Sequence, residues 1–387
     1  MLNHSGKRYR IIPVIALCHL PTVDENLPSL PLSKGGEARR GRIATKLAML
    51  VILLFKVLNL APSSVSAQTL QACVTVPELG SLLQEVGGEH VTVTVFAKGT
   101  EDPHFVEAKP SFIKALSSCD LYVQIGMELE IGWAPILLRE AGNGKVLPGA
   151  PGHIDASTVI TPLEVPSAPV DRSMGDVHPF GNPHYLLDPL NGLKVAALLR
   201  DRLSDLQPAN TQSFTERYQA FRQRLGITLV GEPLAKKYEY EKLALLFERG
   251  KLLDFLQSQG DDAQLGGWLS AMWPHSGAKV VVDHNMWPYF AHRFGITIVD
   301  SLEPKPGIPP TTAHLSTVVN RMKQDGITTV LAAAYYDPRY AQFISENTGA
   351  TVVNMAHQAG ARPGTDDYLA LIDYNVRQLA AALGGKP

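Results

Sequence analysis

The chain has 387 residues, a length that calls for two lobes rather than one average domain. Its 45% hydrophobic and 19% charged residues fit a folded globular protein and exclude a low-complexity or collagen-like chain. A formal charge of −2, with no arginine-rich arm and no basic stretch interleaved with aromatics in the body, argues against nucleic acid or an anionic membrane surface as a partner.

The N-terminal segment is the first informative one. Arg39, Arg40, Arg42 and Lys46 precede an apolar run over 47–61 broken by Lys56, and Val65-Ser66-Ala67 follows at the positions a signal peptidase reads. This order predicts an exported protein with a leader over residues 1–67, its start over-extended because 1–37 shows no coherent periodicity. The apolar run is short for a bilayer span, and a membrane anchor at this end is the alternative reading. Gln71 does not suit a lipobox at Leu70-Gln71-Ala72-Cys73, so Cys73 is read as part of the first strand. Whether Cys73 and Cys119 pair or stay as buried thiols is left open by the sequence.

Beyond the leader, 72–76 reads as an apolar strand, 77–86 as a helix, 91–96 as a β-branched strand, 98–104 as a loop, 111–117 as a helix and 121–125 as a strand. Strands alternating with short helices predict a parallel sheet. Residues 146–182, rich in Pro and Gly and without periodicity, read as a long surface loop. From 189 the pattern turns helical, and a charged amphipathic run over 211–225 follows as the connecting helix. A further helical stretch covers 238–257. The βα rhythm then resumes, with strands over 279–282, 296–299, 328–332 and 351–353 and helices over 288–294, 313–324, 338–347 and 366–383. The expected organisation is an N-terminal α/β lobe over 68–205, a linking helix with a helical insertion over 206–274, and a C-terminal α/β lobe over 275–387.

Four histidines share a placement. His104, His284 and His357 lie just beyond strands, and His184 stands immediately before a helix. In open parallel sheets ligands bind beyond the carboxyl ends of the strands, so two facing lobes would gather these loops around one cleft. Imidazole donors suit zinc better than magnesium or calcium. There is no His-Glu-x-x-His helix, no paired Cys-x-x-Cys and no Gly-x-Ser-x-Gly, so a metalloprotease or serine hydrolase lacks its signature.

A set of motifs then follows in one order. Asp102-Pro103-His104 is trailed by Pro110-Ser111 and Ala115-Leu116, and next comes the stretch 121–133. Asn182-Pro183-His184-Tyr185 precedes Leu187-Asp188-Pro189, and His284 precedes Tyr289-Phe290 and Arg293-Phe294-Gly295. Thr348-Gly349-Ala350 and 368–375 close the series. Together, over about residues 72–387, they resemble the zinc- and manganese-binding solute-binding proteins of ABC importers.

That resemblance implies an α/β fold of two (β/α) lobes with parallel sheets, joined by a long rigid helix, with a metal held in the interlobe cleft by His104, His184 and His284. The family's fourth ligand is usually an aspartate or glutamate of the C-terminal lobe. An ungapped reading back from Tyr374-Asn375 puts Ala356 there, so the adjacent His357 is the candidate replacement, a change that tilts selectivity from manganese towards zinc. The resemblance also implies a periplasmic, monomeric carrier without enzymatic activity, with Zn2+ ahead of Mn2+ as cargo and an ABC importer's membrane permease as partner. Asp188, Glu107, Glu128 and Asp283 are candidate carboxylates behind the imidazoles, and His178, with His153, is a candidate for transient metal recruitment by the long loop. The alternatives are a zinc chaperone or adhesin on the same fold, and a zinc hydrolase with an open fourth position and Glu128 as its first candidate base.

Overall fold

The computed structural model describes residue 49 and residues 69–384, apart from 169, 171–174, 176 and 306. The leader read over 1–67 lies outside the described residues, Met49 aside. Residues 67–387 form one compact unit, and its described part is built on two four-stranded parallel sheets.

The first sheet holds β1 (Leu70–Val74), β2 (Val91–Val95), β3 (Leu121–Gln124) and β4 (His153–Asp155) in the order β2-β1-β3-β4. Helices α1 (Pro77–Gly87), α2 (Pro110–Ser118) and α3 (Ala134–Ala141) alternate with its strands. Strand β4 and helix α3 are additions to the sequence reading. β4 pairs in register with β3, Ile154 opposite Val123, yet it is three residues long and buries only Ile154, too little for an alternation to show in the sequence.

Six helices then run between the sheets: α4 (Pro189–Leu206), α5 (Thr211–Val230), α6 (Glu232–Lys237), α7 (Tyr240–Glu248), α8 (Leu252–Gln259) and α9 (Gly267–Met272). The 20-residue α5 buries Phe214, Tyr218, Phe221, Leu225 and Leu229, a stripe at three- and four-residue steps that packs on α1, α4 and α9. The stretch read as one helix over 238–257 is two. Gly250, at φ +64, turns the chain between α7 and α8.

The second sheet repeats the first. β5 (Lys279–Val282), β6 (Thr297–Ser301), β7 (Thr329–Ala332) and β8 (Thr351–Asn354) stand in the order β6-β5-β7-β8, with α10 (Pro288–Phe294), α11 (Thr312–Asp325) and α12 (Pro338–Thr348) between them and α13 (Tyr368–Ala382) closing the chain. Val280, Val281 and Val282 are fully buried, as are most residues of β7, because helices cover parallel sheets on both faces. Pro77, Pro110, Pro135, Pro189, Pro288 and Pro338 sit in the first turns of their helices, where the missing N–H costs no hydrogen bond.

The two lobes meet tightly. The Tyr368 hydroxyl lies 2.7 Å from the Leu186 carbonyl oxygen, and the Tyr289 hydroxyl accepts the Leu163 N–H at 2.9 Å. A Cβ on Gly99 would stand 2.1 Å from the Ala359 carbonyl oxygen, so the loop leading to His104 reaches the loop after β8 only through a glycine. Among the described residues no helix is long and apolar enough to cross a membrane.

Candidate metal centre

Each of three histidines is fixed by an Asx-type bond from a neighbour. Asp102 Oδ1 accepts the His104 N–H at 3.0 Å, and the Trp133 indole N–H holds the Pro103 carbonyl at 3.0 Å. Asn182 Oδ1 accepts the His184 N–H at 3.0 Å, while the Asn182 amide donates to the Asn285 carbonyl at 2.7 Å, so the His184 and His284 loops are stitched together. The buried Asp283 accepts the His284 N–H at 2.7 Å and the Ala333 N–H from the neighbouring strand's end. Burial pushes the Asp283 carboxyl up to about 6.

These loops bring the imidazoles into one cluster. One ring nitrogen from each of His104, His184 and His284 lies within 4.8 Å of the others. His104 and His284 are buried and His184 is half-buried. Zinc–nitrogen bonds of about 2.1 Å place tetrahedral ligand atoms about 3.4 Å apart, so each ring needs to move inward by less than about 1 Å to hold an ion. A fourth imidazole joins from the long loop. His178 Nε2 is 3.2 Å from His104 Nε2, and a cavity of about 230 Å³ is lined by His178, His184, His284, Glu164 and Asn285.

Hydrogen bonds set which nitrogens are free. His104 Nδ1 is 2.7 Å from Asp102 Oδ1, and His284 Nδ1 is 2.6 Å from Glu303 Oε2. In both, the proton sits on Nδ1 facing the carboxylate, leaving Nε2 with an outward lone pair. Burial would raise Asp102, but the hydrogen bond and charge of His104 hold it below the usual carboxylate value. Burial pushes His284 down, yet Glu303, Asp283 and Asp102 outweigh it and the net direction is up. Burial, then His104 and His284, hold His184 well below the ordinary imidazole value and push His178 down to about 3. His178 and His184 are therefore neutral at pH 7, the state in which imidazole donates to a metal.

His357 stands elsewhere. Its Nε2 lies 3.1 Å from the Glu101 carbonyl and its ring packs edge-on against Tyr335, outside the set of mutually close ligand atoms. The carboxylates behind the imidazoles are Asp102 and Glu303, which the sequence reading missed. Of its candidates, Asp283 holds backbone, Asp188 caps α4 and pairs with Arg293, Glu107 is exposed beside Lys109, and the exposed Glu128 lines a separate cavity with Asp155 and Phe180. Asp102 was visible as the first residue of the Asp-Pro-His motif. Glu303 was not, because it comes 19 residues after His284 and reaches it only through the pairing of β5 with β6. His153 serves β4, its Nδ1 2.8 Å from the Val146 carbonyl.

Two parallel α/β lobes that bring strand-end loops onto one buried cluster of imidazoles define a bilobal binding protein. The family described as zinc-uptake complex component A, periplasmic, matches residues 73–228 and 264–382, and the chain belongs to that family, one of uptake components rather than enzymes. The unmatched residues 229–263 contain α6, α7 and α8. The chain is 21% identical over 369 residues to the high-affinity zinc uptake system protein ZnuA of Paracoccus denitrificans, covering 86% of this chain and 98% of the relative. It is 21% identical over 308 residues to the manganese-binding lipoprotein MntA of Halalkalibacterium halodurans, with 79% and 85% covered. Among solved structures, a ZnuA crystal structure superposes with a TM-score of 0.60 at 22% identity, covering 81% of this chain and 99% of that one. A Mn-bound periplasmic metal binding protein from Candidatus Liberibacter asiaticus gives 0.57 at 16%, with the same coverage. At such identities these likenesses establish the fold.

Proposed function

We propose that the chain captures a transition-metal ion, zinc ahead of manganese, through His104, His184 and His284, and as an exported monomer hands it to the membrane permease of an ABC importer. The observation that carries this reading is the convergence of three ring nitrogens within 4.8 Å, two of them backed by carboxylates. An all-imidazole set favours zinc over manganese, which prefers oxygen donors. Family membership supports transport over hydrolysis, as does the position of Glu128 away from the imidazole cavity.

The fourth corner has two candidates, His178 and His357, and the 3.2 Å approach of His178 to His104 favours His178. Competitive titration of metal-stripped protein against a chelating dye tests both points. Wild type should bind one zinc tightly and manganese more weakly, His178→Ala should weaken the tight ion, and His357→Ala should leave it unchanged. Tighter manganese binding would overturn the ion assignment, and weakening in His357→Ala alone would move the fourth corner to His357.

The protonation pattern predicts the pH profile. A raised imidazole takes up its proton first as pH falls, so zinc affinity should start to drop through the His284 titration, above the ordinary 6.5, by about tenfold per pH unit for one competing proton. His178 and His184, held low, add competition only at much lower pH. Glu303→Gln should shift this break to lower pH and cut neutral-pH affinity by roughly 10–100-fold. A break that stays in place would remove Glu303 as its cause.

A further inference from the structure

A second, smaller cavity borders His184. It measures about 30 Å³ and is lined by Glu78, His357 and Gln358 among apolar neighbours that include Ile125 and Leu129. Three buried side-chain atoms of these residues have no hydrogen-bond partner: Glu78 Oε2, His357 Nδ1 and Gln358 Oε1. The residues are 4%, 6% and 3% exposed, so solvent does not satisfy them. Unpaired buried polar atoms are destabilising, and finding three around one cavity calls for a physical reason.

All three atoms are lone-pair carriers. His357 Nε2 faces the Glu101 carbonyl, an acceptor only, so the ring proton sits on Nε2 and Nδ1 is bare. Glu78 Oε2 is a carboxyl oxygen and Gln358 Oε1 an amide oxygen. Burial pushes the Glu78 carboxyl up to about 8, so it carries a proton when no cation is near; a divalent cation would displace that proton and meet all three lone pairs at once. The cavity exceeds the roughly 10–15 Å³ that one water-sized occupant needs. Glu78 lies in the first turn of α1 and His357 and Gln358 follow β8, so the donors come from both lobes, as they do in the triad.

We propose that Glu78, His357 and Gln358 form a second, weaker site for a divalent transition-metal cation, separated from the triad by His184. Its one nitrogen and two oxygen donors are harder than the triad's imidazoles, so it discriminates less against manganese. An ion displaced from the triad has a partly charge-compensated place to rest between the lobes. The triad reading stands or falls separately, because none of His104, His184, His284 and the favoured fourth donor, His178, is a donor of the second site.

The test is cobalt titration of the metal-stripped full chain, followed by visible absorption and by ion counting after equilibrium dialysis. Wild type should saturate at two ions per chain, and Glu78→Gln and His357→Asn should each saturate at one with the tighter ion unchanged. His184→Ala should lose the tighter ion, which separates failure of this proposal from failure of the triad. Glu78→Gln is nearly isosteric, and circular dichroism checks its fold, with His357→Asn carrying the test if it unfolds. One ion per chain in wild type, a second ion that survives both variants, or loss of the tighter ion in either one would overturn the proposal.

Discussion

Replacing His184 with alanine is expected to weaken zinc binding by roughly 10² to 10³-fold, because an apparent binding free energy of about 10–16 kcal/mol shared among four ligands gives each about 2.5–4 kcal/mol. His184 is the cleanest of the three to remove. Its backbone N–H stays bonded to Asn182, and no carboxylate depends on its ring. Alanine at 104 or 284 strips Asp102 or Glu303 of its imidazole partner, and the Glu303 side chain is only 9% exposed, so those variants should lose stability together with affinity. Dye competition reads the affinity, and the melting shift produced by saturating zinc should shrink in step with it. Wild-type affinity in His184→Ala would remove the triad from the account.

What the sequence made legible follows from distance along the chain. The lobes were readable because most strands are short apolar or β-branched runs and most are followed by a proline-opened helix, and both signals are local. His104, His184 and His284 were readable because strand-end placement and short motifs coincide on them. The carboxylate behind His284 was not, since Glu303 becomes its neighbour only through sheet order. His178 reads in the sequence as a loop histidine, and nothing in a Pro- and Gly-rich stretch without periodicity signals its 3.2 Å approach to His104. Glu78 carried no signal at all. Its sequence reads as an acidic residue in a helix's first turn, a favourable surface place, whereas in the fold it is buried beside His357 and Gln358 of the distant loop after β8.

The largest stability loss should come from Arg293→Ala, about 3–5 kcal/mol by urea unfolding of the metal-free protein. Arg293 on α10 meets Asp188 through two hydrogen bonds of 2.8 Å, and its guanidinium also pairs with Glu248. The Arg293 and Asp188 side chains are each 7% exposed, so removing the cation leaves two carboxylates facing one another out of water. The pair is also placed to matter for the site. Asp188 caps α4 four residues after His184, and Arg293 lies on the helix that follows the His284 loop, so the ion pair holds two of the ligand loops at a fixed spacing. Zinc affinity should therefore fall along with stability, although neither residue touches the cluster. The double variant Asp188→Asn with Arg293→Met should recover part of the loss, because asparagine still caps α4 and the Asp188 charge goes with its partner, leaving Glu248 14% exposed. A loss below about 1 kcal/mol in Arg293→Ala would class the pair with exposed ion pairs and break the link drawn between lobe packing and the metal site.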